Sequence, residues 1–98
     1  MGTQLSTLIE KINKNMSVFA DCKNDIIEIV YNHTIDYHRK TQDLDLAIET
    51  MLIFLDYNDL IFIIEKLVIP SIKNDSNYYM AEYFENKVKK FKKYLHIS

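Results

Sequence analysis

Glycine, proline and cysteine each occur once in 98 residues, and tryptophan is absent. A barrel or sandwich needs a glycine-bearing turn every ten residues or so, which this chain does not have. The lone cysteine, Cys22, closes no internal disulfide, so packing must hold the fold, and a cytoplasmic location suits it. No apolar run is long enough to span a bilayer. The most apolar stretch, Leu60 to Ile69, is interrupted by Glu65 and Lys66 and ends at Pro70. A formal net charge of -2 gives no bulk attraction to nucleic acid, so neither it nor a membrane is the expected partner. One glycine also rules out a glycine-rich phosphate loop, and with it the nucleotide-dependent enzymes that use one.

What remains is a chain that is 48% hydrophobic and 27% charged, enough for one core and one domain over residues 1–98. Apolar residues at Leu5, Leu8, Ile9, Ile12, Met16 and Phe19 form one stripe of a helix over Ser6 to Phe19. Asp21, Cys22, Lys23 and Asn24 read as a break with capping side chains. A second helix follows, carrying Ile26, Ile27, Val30, His33 or Thr34, and Tyr37, and ending near Arg39 and Lys40. Thr41 is the expected cap of a third helix, with Leu44, Ala47, Ile48, Met51, Leu52 and Leu55 on its inner face. Asp56 to Asp59 reads as a turn, and Leu60 to Ile69 as a buried helix that Pro70 stops or restarts. After a loop over Lys73 to Asn77, the last helix aligns Met80, Tyr83, Phe84, Val88, Phe91 and Leu95. The expected fold is all-α, a compact bundle of four to five helices.

Catalytic signals are missing. His33 and His38 are five apart, whereas a helical metal pair needs a spacing of three or four, so no metal or cofactor is expected. Cys22 has no histidine beside it, and Lys23 is the neighbour that would lower its pKa. Asp43 and Asp45 are two apart and point to different sides of a helix, where the helix dipole explains their place without acid–base chemistry. The reading is of a protein that is not an enzyme.

Charge is unevenly spread. From Asp21 to Asp59 there are nine acids against three bases, whereas from Ala81 onward two acids face five lysines, at Lys87, Lys89, Lys90, Lys92 and Lys93. These two regions either attract each other within the bundle or serve as binding surfaces. The acidic middle would then dock a basic partner, with Tyr57 as an apolar anchor.

The run Asp43-Leu44-Asp45-Leu46-Ala47-Ile48-Glu49-Thr50-Met51-Leu52, followed by Leu55-Asp56-Tyr57-Asn58-Asp59 and another apolar helix, resembles small helical immunity proteins of bacterial contact-dependent or polymorphic toxin systems. The likeness covers roughly a quarter of the chain, and Ile48 stands where those families usually have leucine. It implies a non-catalytic inhibitor whose acidic surface blocks a basic toxin domain, often a nuclease. On this reading the partner-binding residues are Asp36, Asp43, Asp45, Glu49, Asp56, Tyr57 and Asp59. Two other readings stand beside it. One is a viral or phage regulatory module that holds a host protein's helix in an apolar groove lined by Ile61, Phe62 and Ile64. The other is a structural homodimer that buries the surplus face of the fourth helix against a copy of itself.

Overall fold

Phe19, Cys22, Ile26 and Val30 follow one another at intervals of three, four and four residues, and all four are buried. A stripe with that spacing stays on one side of a helix. It runs straight through the stretch expected to break the chain. The computed structural model describes the backbone of residues 3–33 and 35–97 and the side chains of residues 16–33 and 35–96, and its first element, α1, is continuous over Thr3–Val30. Asp21 and Asn24 are exposed on its outer side, where polar residues cost a helix only a few tenths of a kcal/mol each. Of the stripe expected ahead of Phe19, Met16 is exposed; the side chains of Leu5, Leu8, Ile9 and Ile12 lie outside the described residues.

The real break comes after Val30. The next helix, α2, spans Tyr37–Met51, with Asp36 as its N-cap accepting a hydrogen bond from the Arg39 amide at 2.8 Å. Arg39 and Lys40 therefore begin a helix instead of ending one. Thr41, expected as the cap, lies inside the first turns and donates its hydroxyl to the His38 carbonyl at 2.8 Å. Asp36 prevails because its side chain meets the free amides at the actual helix start. Leu44, Ile48 and Met51 are buried, while Ala47, Leu52 and Leu55 are half-buried.

The turn after α2 falls at Leu52 to Leu55, ahead of its expected place, and Asp56 to Asp59 caps the following helix. Asp56 accepts from the Asp59 amide at 2.8 Å, and the Asp59 carboxylate accepts from the Asp56 amide at 3.4 Å, a reciprocal capping box. From there α3 (Tyr57–Phe62), a π-helical segment (Ile63–Val68) and α4 (Ile69–Asn74) form one rod. Pro70 has no amide hydrogen and its ring clashes with the carbonyl four residues back, so a widened turn just before it carries the helix past without a break. The Ile69 amide donates to the Ile64 carbonyl, five residues back. That extra residue keeps Leu60, Ile64, Ile69 and Ile72 on the inner side, and all four are buried.

The rod ends in a Schellman turn: the Asn77 amide donates to the Ile72 carbonyl at 2.9 Å and the Ser76 amide to the Lys73 carbonyl at 2.9 Å. Ser76 takes the left-handed conformation, φ 61°, that usually goes to glycine. The last helix, α5, spans Tyr78–Ile97 and buries Met80, Ala81, Phe84, Val88 and Phe91. The expected all-α bundle is the observed one, with four rods around a single core.

Candidate partner-binding surface

Asp45 leaves α2 toward α5. Its carboxylate accepts the Tyr83 hydroxyl at 2.6 Å and pairs with the Lys87 ammonium at 2.6 Å, and that ammonium also lies 5.7 Å from the centre of the Tyr83 ring. Partial burial alone would raise the Asp45 pKa. The hydrogen bonds from Lys87 and Tyr83, with the charges of Lys87 and Lys90, outweigh it and hold the carboxyl below its ordinary range. The Tyr83 phenol moves the other way, upward, first by burial and then by its bond to the Asp45 carboxylate. This seam joins the acidic middle to the basic helix inside the protein. Two further lysine pairs hold α5 to the α3–α4 rod, Lys92 with Glu65 at 3.1 Å and Lys73 with Glu85 at 2.8 Å.

The other expected contact residues do not gather on one face. Asp36, Asp56 and Asp59 are engaged as helix caps. Tyr57 is half-buried, its ring 5.2 Å from Phe91 and 5.6 Å from Tyr94, so it anchors α3 to α5. Glu49 is exposed one turn after Asp45. Asp43 lies on the opposite side of α2, where it lines a groove of about 440 Å³ between α1 and α2 together with Cys22, Asp25, Ile29, Leu46 and Phe54. Leu46 and Phe54 keep 63% and 60% of their surface in solvent, and neighbouring Ile53 keeps 83%.

Reading the sequence for one inner stripe on α2 passes over this second one. Leu46, Thr50, Ile53 and Phe54 recur at four, seven and eight residues, a helical spacing that begins on α2 and ends in the turn after it. Asp21, Asp25 and Glu28 supply a matching acidic line on the outer side of α1, all three exposed. Among the described residues, Asp21, Asp25, Glu28 and Asp43 have no ion-pair partner, in contrast to Asp45. Cys22 sits at the floor of the groove, 4% exposed. Burial first, then the negative charges of Asp25 and Asp21, push its thiol upward, so these acids and not Lys23 set its field. A raised thiol pKa fits packing, not nucleophilic attack.

Of the residues expected to line an apolar groove, Ile61, Phe62 and Ile64, only Phe62 is exposed, with 38% of its surface in solvent. Ile64 is fully buried, Ile61 is half-buried, and the Phe62 ring lies 5.7 Å from Phe19. On that helix α1 and α5 pack over Leu60, Ile63, Ile64 and Val68, all at 0% exposure, while Phe62 is exposed and Ile61 and Leu67 are half-buried. A second concavity, about 370 Å³, lies between the start of α2 and α5 and is walled by Tyr37, Tyr79 and Tyr83 with Lys87 and Lys90. Among the described residues no group of three His, Cys, Asp or Glu side chains is placed to hold a metal ion, and no helix is long and apolar enough to cross a membrane.

The chain matches no protein-family model, no curated protein and no solved structure at a significant level. The immunity-protein likeness therefore rests on the residues from Asp43 to Asp59, which fold as α2, its turn and the capped start of α3.

Proposed function

We propose that the protein is a non-catalytic, cytoplasmic inhibitor that binds and neutralises one cognate basic protein domain, in the manner of a toxin-immunity protein. The observation that supports this is the unpaired acidity of the α1–α2 side. Asp25 and Asp43 line one groove with exposed Leu46 and Phe54, and Asp21 and Glu28 are exposed on α1; none of the four acids has a cation partner among the described residues. Aligned unneutralised carboxylates steer a cationic partner, and adjacent apolar side chains retain it once docked. Of the seven residues first expected to make contact, Asp43 fits this role best. Asp45, Asp36, Asp56, Asp59 and Tyr57 have structural partners within the chain.

The test is co-expression with the product of the neighbouring reading frame, followed by affinity capture at low and high salt. A stoichiometric complex that weakens with salt, and growth restored to cells making a toxic neighbour, are the expected results. The double reversal Asp25→Lys with Asp43→Lys should slow association by roughly tenfold or more while the melting temperature stays put. Equal association by that variant would remove the acidic side from the interface. The exposed apolar residues also suit a regulatory module that captures a host protein, and recovery of such a protein in the same experiment would favour that second reading.

A further inference from the structure

We infer that the groove between α1 and α2 is the seat for a basic amphipathic helix of the partner. The partner's role as the inhibited domain rests on the reading above; the chemistry of the seat does not. Three observations specify the occupant. First, the floor is apolar, with Cys22 4% and Met51 5% exposed, while Leu46 and Phe54 rise as walls that remain 63% and 60% in solvent. Large apolar side chains lining a concavity in this way mark a site that another surface covers.

Second, the groove runs between two helices, α1 and α2, whose backbone groups are already paired along their length, and Phe54 joins its lining from the turn after α2. An extended peptide would find no edge to join, whereas a helix satisfies its own backbone and needs only side-chain contacts. Leu46 and Thr50 are one turn apart on α2, and a helix laid alongside offers ridges at the same spacing to fit against them, with Phe54 beside them from the following turn. Third, the rim is acidic. Asp25 from α1 and Asp43 from α2 both line the groove, and among the described residues neither has an ion-pair partner. An occupant with Lys or Arg flanking its apolar stripe completes both carboxylates, and one carrying Glu or Asp is repelled.

The test uses the full chain and three synthetic 18-residue probes, a size set by about five helical turns. One is an amphipathic Leu/Lys helix, one a Leu/Glu helix of the same pattern, and one a Leu/Lys peptide of scrambled order. Amide chemical shifts are followed during titration. The expected result is saturable binding of the Leu/Lys helix alone, with the largest shifts at Ile29, Leu46, Thr50 and Phe54. The variant Leu46→Ala with Phe54→Ala should weaken it about tenfold or more with an unchanged melting temperature, since both side chains are exposed in the free protein. Asp25→Lys with Asp43→Lys should transfer preference to the Leu/Glu helix.

Equal binding of the scrambled peptide, shifts concentrated on α5, or full affinity in the alanine variant would each overturn the seat. A dimer in sedimentation velocity that the alanine variant dissociates would also overturn it, by assigning the groove to a second copy. The two readings fail separately. An alanine variant that still neutralises the partner, while the charge reversal does not, removes the groove and spares the inhibitor. Probe binding at the groove without any neutralisation does the reverse.

Discussion

Asp43 and Asp45 stand two residues apart on α2, yet one faces an open groove and the other is locked into the α2–α5 seam. Asp45 has two hydrogen-bonding partners, Tyr83 and Lys87, each at 2.6 Å. Asp43 has no ion-pair partner among the described residues and shares a groove with Asp25. The contrast shows how a sequence rich in acids divides them between holding the fold and facing outward. A carboxylate opposite a lysine on a packed neighbour stabilises the bundle and is lost to a partner. One opposite another carboxylate contributes nothing to folding and keeps its field for docking.

The contrast yields predictions of decreasing size. The seam rests on core, since Phe84 is fully buried and meets the Tyr83 ring edge-on at 5.1 Å. Phe84→Ala should cost about 3–5 kcal/mol in denaturant unfolding. Leu46→Ala on the groove side should stay within about 0.5 kcal/mol of the parent. Comparable losses at the two positions would mean that the groove is closed by the chain itself.

The aspartates come next. Asp45→Asn should lower stability by about 1 kcal/mol at neutral pH, a figure kept small because the side chain is about half exposed. Asp43→Asn should be neutral or slightly stabilising. The pH dependence carries the same distinction. Because the folded state holds the Asp45 carboxyl below its ordinary value of 3.8, the unfolded chain binds its proton more readily. Its stabilisation is present above that pH and lost as pH falls through the folded value. Tyr83 has the opposite shift, so its contribution is intact below the ordinary phenol value of 10.0 and declines above it as pH rises toward the folded value. Unfolding curves from pH 2 to 7 should therefore converge for parent and Asp45→Asn at the acid end. Parallel curves for parent and Asp45→Asn would break the seam assignment.

The smallest effect is a control in the turn between the α3–α4 rod and α5. Ser76→Gly relieves a left-handed φ of 61° in the Schellman turn and should add about 0.5–1 kcal/mol. That gain, read as a higher melting temperature, should leave probe binding at the groove unchanged. A change in binding would tie the groove to global stability instead of local chemistry.

Much of the fold was legible from residue spacing. The inner faces of α2 and α5 were read nearly as they stand, because Leu44, Ile48 and Met51, or Phe84, Val88 and Phe91, repeat at the helical period. The departures have physical causes, some local and some tertiary. Asp21 and Asn24 look like caps, but a cap works only where amides are free, and in mid-helix those residues simply face water. Tyr57, read as a docking anchor, is taken by Phe91 and Tyr94 from a helix more than thirty residues away. The apolar line of Leu46, Thr50 and Phe54 was present in their spacing, yet Phe54 falls in the turn after α2 and the line's exposure depends on where α1 packs.

Helix formation and the apolar side of each helix were settled along the chain, since both depend on residues within one or two turns of each other. The opposite orientations of Asp43 and Asp45 were settled there too, by the angle between residues two apart. Which of them meets a lysine was decided by packing. Lys87 comes 42 residues after Asp45, and only the docking of α5 on α2 brings the two charges to 2.6 Å. Packing also turned a run ending at Pro70 into one continuous rod, because the buried face needed Ile64 and Ile69 on the same side and one widened turn put them there.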